Sequence, residues 1–179
     1  MNIIAFAASN HKTSINRQLV GYAASLLDKV ERVEVLDLNE YEMPLFSQDV
    51  EAEIGYPQQA KDFLAKIANS DGVIISFAEH NGSYTAAYKN IFDWCSRIEP
   101  KIFNGKPMVL LSTSPGARGG ATVLATAVDS MPRFGGIVKA SLSVPSFNDN
   151  FDTDKQCLTH EALNLQLADA VSHLNHRQL

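Results

Sequence analysis

Two stretches of this chain, IIAFAA (3–8) and GVIISFA (72–78), are apolar on both faces rather than alternating. A strand of that kind has no side for water, so it fits only a sheet covered on both sides. The segments between the apolar runs supply the cover. NRQLVGYAASLLDKV (16–30) carries Leu19, Tyr22, Ala23, Leu26, Leu27 and Val30 at helical spacing, and PQQAKDFLAKIANS (57–70) puts Ala60, Phe63, Leu64 and Ile67 on one face. SYTAAYKNIFDWCSRI (83–98), GGATVLATAVDSM (119–131) and the region from Thr153 to His176 also read as helices. VEVLDL (33–38), KPMVLLST (106–113) and GIVKASLSV (136–144), the last with room for a bulge, complete five strands. Strands alternating with helices give a parallel sheet with right-handed crossovers. The expectation is a flavodoxin-like three-layer α/β/α sandwich whose five-stranded parallel sheet has the order 2-1-3-4-5. The connection over 39–56 is too long for a plain loop and is itself a functional candidate.

Bulk composition narrows the function classes. A length of 179 residues suits one domain, 1–179, with a sizeable core. Hydrophobic content of 45% and charged content of 20% are those of a globular chain, not a disordered one. A formal net charge of -5 argues against nucleic acid as a partner. The apolar runs are too short for a membrane span, and the N-terminus lacks the basic n-region of a signal peptide. A cytoplasmic protein is expected. Cys95 and Cys157 are far apart in sequence and read as reduced packing thiols. His173 and His176 lie an i,i+3 step apart, but two ligands without a third read as a solvated face.

The 2-1-3-4-5 order makes a stronger statement. Ligands bind outside the carboxyl ends of the strands where the winding direction reverses. The loops after strands one, three and four should therefore meet. These are SNHKTSIN (9–16), EHNGS (79–83) and SPGARGG (114–120), the three most unusual stretches of the chain. Each is rich in Gly, Ser, Asn or Thr, and each precedes a helix. Ser9, Thr13, Ser14 and Asn16 are short donors beside a helix N-terminus, with Lys12 and His11 adding charge; a terminal phosphate suits that setting. The simpler reading of Ser14 is that it caps the first helix. No G-x-x-x-x-G-K-[ST], no G-x-G-x-x-G after strand one and no G-x-S-x-G is present. A phosphate cradle here would be made of hydroxyls and amides.

The same loops carry a family resemblance. Ala8 to Asn16 is similar to the G-S-x-R-x-x-S-x-N opening of the NAD(P)H-dependent FMN reductases, which include quinone, azo and chromate reductases. Ser9, Ser14 and Asn16 match, while His11 stands where arginine is usual. Ala78 to Ser83 resembles P-E-Y-N-G-S, with His80 in place of tyrosine, and Lys89, Asn90, Asp93 and Trp94 follow in register with L-K-N-x-x-D-W. Ser114 to Gly120 resembles S-x-G-x-x-G-G, and MPLFSQDVE resembles the P-L-[YF]-x-x-D segment. The order and spacing of the four motifs make the match specific.

The resemblance implies FMN, with its phosphate held by Ser9, His11, Ser14, Ile15 and Asn16. Its ring would lie between Glu79, His80, Asn81, Gly82 and Ser83 on one side and Ser114, Pro115, Gly116, Gly119 and Gly120 on the other. It implies NADPH or NADH as donor and hydride transfer to N5 with no protein base. A small-molecule acceptor, such as a flavin, quinone or azo compound, would then take the electrons by a ping-pong mechanism. Arg118 is placed either to meet the nucleotide phosphates or to be solvated. Glu79, though placed beside the ring by the resemblance, reads as a helix-start or interface carboxylate rather than an acid catalyst. A homodimer or homotetramer is implied, with the 39–56 connection and the third helix at the seam. The competing readings are an electron-transfer flavodoxin and a flavin-binding regulatory module without turnover. The first lacks its T-x-T-G-x-T loop here.

Overall fold

In the computed structural model, which describes residues 1–175, a five-stranded parallel sheet has the order β2-β1-β3-β4-β5. Its strands are β1 (Asn2–Ala8), β2 (Arg32–Leu36), β3 (Gly72–Phe77), β4 (Pro107–Thr113) and β5 (Ile137–Val144). Among the described residues the helices are α1 (Ile15–Ser25), α2 (Gln48–Ile54), α3 (Gln58–Ala68), α4 (Ala86–Ile98), α5 (Ala121–Ser130), α6 (Phe147–Asn150) and α7 (Glu161–Ser172). The fold and strand order are those expected from the sequence.

Alternate residues of the central strands feed two cores, because successive side chains of a strand point to opposite faces. Ile4, Phe6, Val73, Ile75 and Leu110 face α3, α4 and α5, whose Phe63, Tyr88, Trp94 and Val123 complete that core. Ile3, Ala5, Ile74, Val109 and Leu111 face α1 and α7, packing with Leu19, Val20, Ala23, Leu167 and Val171. Every residue of β3 is buried, which is why its sequence shows no polar face. Burial of each large aliphatic or aromatic side chain contributes about 1.5–3 kcal/mol. The irregularity anticipated in the fifth strand lies at Lys139. Met108 pairs with Val138 but Val109 pairs with Ala140.

Three segments differ from the sequence reading, each for a local reason. The first helix ends at Ser25, not Val30, and Leu26, Leu27 and Val30 pack against the core from the following loop. Burial without helicity produced the same periodic signal. The third long helix begins at Ala86, because Thr85 caps it by accepting from the Tyr88 N–H, leaving Ser83 and Tyr84 in the preceding turn. The stretch after β5 is not one helix from Thr153. A short hairpin pairs β6 (Phe151–Asp152) with β7 (Cys157–Leu158). Asp152 Oδ1 accepts from the N–H groups of Asp154 and Lys155, so local turn chemistry displaces helix there. His160 then caps α7. His173 follows the end of that helix, and His176 lies outside the described residues.

The 39–56 connection contains a 3₁₀ turn (Leu38–Tyr41), capped by Asp37, and α2, capped by Ser47. The segment between them is fastened to α4. Asn90 accepts from the Phe46 N–H at 2.8 Å and donates to the carbonyls of Met43 and Pro44 at 3.2 and 3.1 Å. Trp94 Nε1 also donates to Pro44 O at 2.8 Å.

Candidate functional site

β1, β3 and β4 stand side by side in the sheet, and their carboxyl ends run into loops leading to α1, α4 and α5. Residues from all three loops line one cleft of about 490 Å³. Ser9, His11, Thr13, Ser14, Ile15 and Asn16 come from the first loop, Ala78, Glu79 and His80 from the second, and Thr113, Ser114 and Pro115 from the third. Asn81, Gly82, Ser83, Gly116, Arg118, Gly119 and Gly120 belong to the same loops but are not part of that lining. Across Asn10 lies a second cleft of about 340 Å³, bounded by the 38–43 segment and by Ala87, Asn90 and Ile91 of α4.

The first loop is a compact turn. Ser14 N–H donates to His11 O at 3.1 Å, and His11 N–H donates to Ser9 Oγ at 3.2 Å. His11 Nε2 lies 3.0 Å from Thr13 Oγ1. Ser14 caps α1, its hydroxyl accepting from the Arg17 N–H at 3.3 Å, while the N–H groups of Ile15 and Asn16 stand in the first helical turn, where no intrahelical acceptor exists. His11, Lys12 and Thr13 are exposed at the rim. Arg17 is directed away to Asp37, at 2.6 Å. The N–H of Asn39, helped by Arg17, holds the Asp37 carboxyl below the usual carboxylate range.

Asn16 is 2% exposed, and its side chain is engaged on all sides. Its Oδ1 accepts from Ser76 Oγ at 2.7 Å and from the Thr113 N–H at 3.1 Å, and its Nδ2 donates to the Thr113 carbonyl at 3.1 Å. The expected side-chain contact between Asn16 and a phosphate therefore has a competitor built into the fold. What this residue offers a ligand is its backbone N–H. Glu79 is similarly occupied, since its Oε2 accepts from the Val123 N–H at 2.8 Å, in the first turn of α5. The structure displays the helix-start role expected for it, at the start of α5.

The second loop turns on two residues. His80 and Ser83 exchange backbone hydrogen bonds of 3.0 Å in both directions, with Asn81 at φ 52 and Gly82 at φ 75. Two successive positive φ values define a type I′ turn, for which Asn-Gly is the preferred pair. In the third loop Gly119 lies at φ 58 against β5. A Cβ there would fall 2.5 Å from Ser143 Oγ and 2.8 Å from the Val144 carbonyl. Gly120, at φ 73, is the N-cap of α5. Arg118 is exposed and donates to Thr122 Oγ1 at 2.6 Å.

Sequence reasoning missed Thr85, Ser76 and Thr113. Thr85 is 1% exposed, and its hydroxyl donates to the Ala8 carbonyl at 2.9 Å, fastening the second loop to the end of β1. Its position just ahead of a helical apolar pattern is an N-cap signal. Ser76 is the one polar residue within GVIISFA, and a lone hydroxyl in a fully buried strand requires a partner. Thr113 had no signal of its own.

Among the described residues no helix is long and apolar enough to cross a membrane. The protein-family comparison matches residues 1–149 to NADPH-dependent FMN reductase. A 2-hydroxy-1,4-benzoquinone reductase of Burkholderia sp is 34% identical over 122 residues, covering 68% of this chain and 64% of that protein. A quinone reductase of Escherichia coli (strain K12) is 32% identical over 124 residues, with the same coverage of 68% and 64%. The aligned part thus spans just under two thirds of the length of these relatives. In fold, the chain is similar to FerB, a flavoenzyme NAD(P)H:(acceptor) oxidoreductase from Paracoccus denitrificans, with a TM-score of 0.79, 24% identity and coverage of 97% of this chain and 94% of that one. With its loops meeting at the edge where the family's motifs lie and the family matched over residues 1–149, this chain belongs to the NADPH-dependent FMN reductases.

Proposed function

We propose that the three-loop cleft binds FMN and that the protein uses NADPH or NADH to reduce a small acceptor of the quinone class. The observation that carries this reading is the cleft itself, in which hydroxyl and N–H donors of the first loop face a second and third loop of small or flat residues. The residues present fit the cofactor. The first turn of α1, with Ser9, Thr13 and Ser14, forms an anion cradle, and exposed Lys12 supplies positive charge at the rim. Gly116, next to the lining residue Pro115, leaves the edge of the third loop uncrowded, because a Cβ built there would meet nothing nearer than Ser114 Oγ at 3.9 Å. When bound, FMN supplies a two-electron carrier between a reduced nicotinamide and an acceptor. The chain's own part is to hold the phosphate end, present the ring edge to the Asn81–Gly82 turn and leave one opening for donor and acceptor in turn. Asn81, Gly82 and Ser83 sit near that opening in this reading, and Arg118 reaches the donor's phosphates. Successive use of one opening predicts ping-pong kinetics. The quinone class is chosen because relatives above 30% identity carry that name.

A second copy of the chain is proposed to cover the 44–56 segment. Leu45 is 79% exposed, and Ile54 and Tyr56 are 50% and 44% exposed, an apolar surface beside the well-fastened α4. The two free cysteines suit a reducing compartment, and the cytoplasm is the proposed location.

Fluorescence titration tests the cofactor. FMN should bind at least roughly tenfold more tightly than riboflavin, the difference being charge-assisted hydrogen bonds to phosphate. Equal affinities would remove the anion cradle from the reading. With oxygen excluded, NADPH should bleach the bound flavin and a quinone should restore its colour. A protein that binds FMN but stays yellow under NADPH and NADH is a binding module, not a reductase.

A further inference from the structure

Each pair of cleft loops is joined by one buried or partly buried side chain. Thr85, at the end of the second loop, donates to Ala8 O at the start of the first. Glu79, in the second loop, accepts from Val123 N–H, where the third loop enters α5. Asn16, at the end of the first loop, pairs with both peptide groups of Thr113, where β4 gives way to the third loop. We propose that Asn16, Thr85 and Glu79 are positioning residues closing a ring around the three loops, so that the shape of the cleft is set before any cofactor enters.

The chemistry of each joint specifies its residue. β4 continues one residue beyond its last pairing with β3, at Phe77 and Ser112. Thr113 would there expose an N–H and a C=O to the interior. The carboxamide of Asn16 donates to one and accepts from the other, as a further strand residue would. Aspartate lacks the donor, and leucine lacks both groups. Thr85 serves two partners with one hydroxyl, donating to Ala8 O and accepting from Tyr88 N–H at 3.2 Å. Serine keeps that capacity and valine removes it at nearly the same shape. Glu79 needs only an acceptor at its tip, which glutamine also supplies. A carboxylate acting by its charge on a bound ring would not be replaced by glutamine. An unsatisfied buried N–H or C=O is costly, so opening one joint takes strain to the other two through loops only a few residues long.

The inference deepens the reading of the cleft as a flavin site, but it is tested on cofactor-free protein. Three amides report the three joints: Tyr88 for Thr85, Thr113 for Asn16 and Val123 for Glu79. Native-state hydrogen exchange by NMR is measured at these amides in Glu79→Leu, Glu79→Gln, Thr85→Val and Thr85→Ser. In Glu79→Leu exchange should rise roughly tenfold at Val123 and also rise at Thr113 and Tyr88. Glu79→Gln should leave all three near wild type. Thr85→Val should loosen Val123 and Thr113, and Thr85→Ser should not. Exchange confined to the broken joint in the folded variants overturns the ring, as does a glutamine variant that behaves like the leucine one. Should Glu79→Leu fail to fold, the valine and serine pair decides by the same criterion. Titration of the same proteins with FMN is read separately. If the ring holds but wild type does not bind FMN, the cofactor reading fails and the ring stands.

Discussion

Individual glycines of the third loop illustrate how far residue type informs role. The sequence places Gly116, Gly119 and Gly120 in one motif and cannot rank them. In the structure Gly119 has no room for a side chain and sits at positive φ, while Gly116 has both room and ordinary backbone geometry. Gly119→Ala should therefore cost roughly 1–3 kcal/mol of stability, and Gly116→Ala less than about 0.5 kcal/mol. Urea unfolding of the two variants checks this, and equal midpoints would mean that β5 yields to the added methyl. If the cleft takes FMN as proposed, Gly116→Ala should instead weaken its binding, by adding a methyl at the edge of the third loop beside the ring. Asn16 and Glu79 show the same limit from another side. Their presence in the motifs was legible, but which buried peptide group each would meet depends on strand lengths and loop exits that no local pattern records.

At the level of elements, strands were the easiest to read, because β1 and β3 are apolar at nearly every position and parallel pairing demands it. Helix ends were harder. Leu26, Leu27 and Val30 continue a helical spacing beyond the helix because they bury themselves from a loop. The 39–56 connection was legible as unusual but not as a 3₁₀ turn and a short helix, since its order comes from across the molecule. Asn90 satisfies the Phe46 N–H and the carbonyls of Met43 and Pro44, from a residue more than 40 positions away. Asn90→Leu should leave the Phe46 N–H and Met43 C=O to find water, at a cost of roughly 1–3 kcal/mol. Limited proteolysis should then cut within 43–56 faster than in wild type, with the helical circular dichroism unchanged. Unaltered cleavage would show that Trp94 and its bond to Pro44 O hold the segment without Asn90.

Across the whole molecule, two cores on opposite faces of one sheet bury several groups that ionise at high pH. The side containing α4 holds Cys95, whose thiol burial pushes up to about 12. It also holds Tyr88, whose hydroxyl burial drives well above its ordinary value, with Tyr84 and Cys95 adding to the effect. Both groups are neutral when protonated, so the folded state keeps protons that the unfolded chain releases. Their effect on stability is absent below about pH 9 and grows as pH rises above the unfolded values. Each such group lowers stability by about 1.4 kcal/mol per pH unit until its folded value is reached. Alkaline unfolding should begin near pH 9–10 and should not be mirrored by a comparable loss near pH 5–6. Tyr88 is the sharpest test, because it is 1% exposed and its hydroxyl has no hydrogen-bond partner among the described residues. Its ring packs against Phe6, Phe77, Tyr84 and Phe92, contacts that phenylalanine keeps. Tyr88→Phe removes a desolvated polar group and nothing else from that core. At neutral pH it should leave stability unchanged or raise it by about 1–2 kcal/mol. At pH 11 its advantage over wild type should be larger by roughly another 1 kcal/mol. Guanidinium unfolding at the two pH values measures both quantities. A variant less stable than wild type at neutral pH would show that the hydroxyl has a partner within the core after all, and that the tyrosine is there for its oxygen.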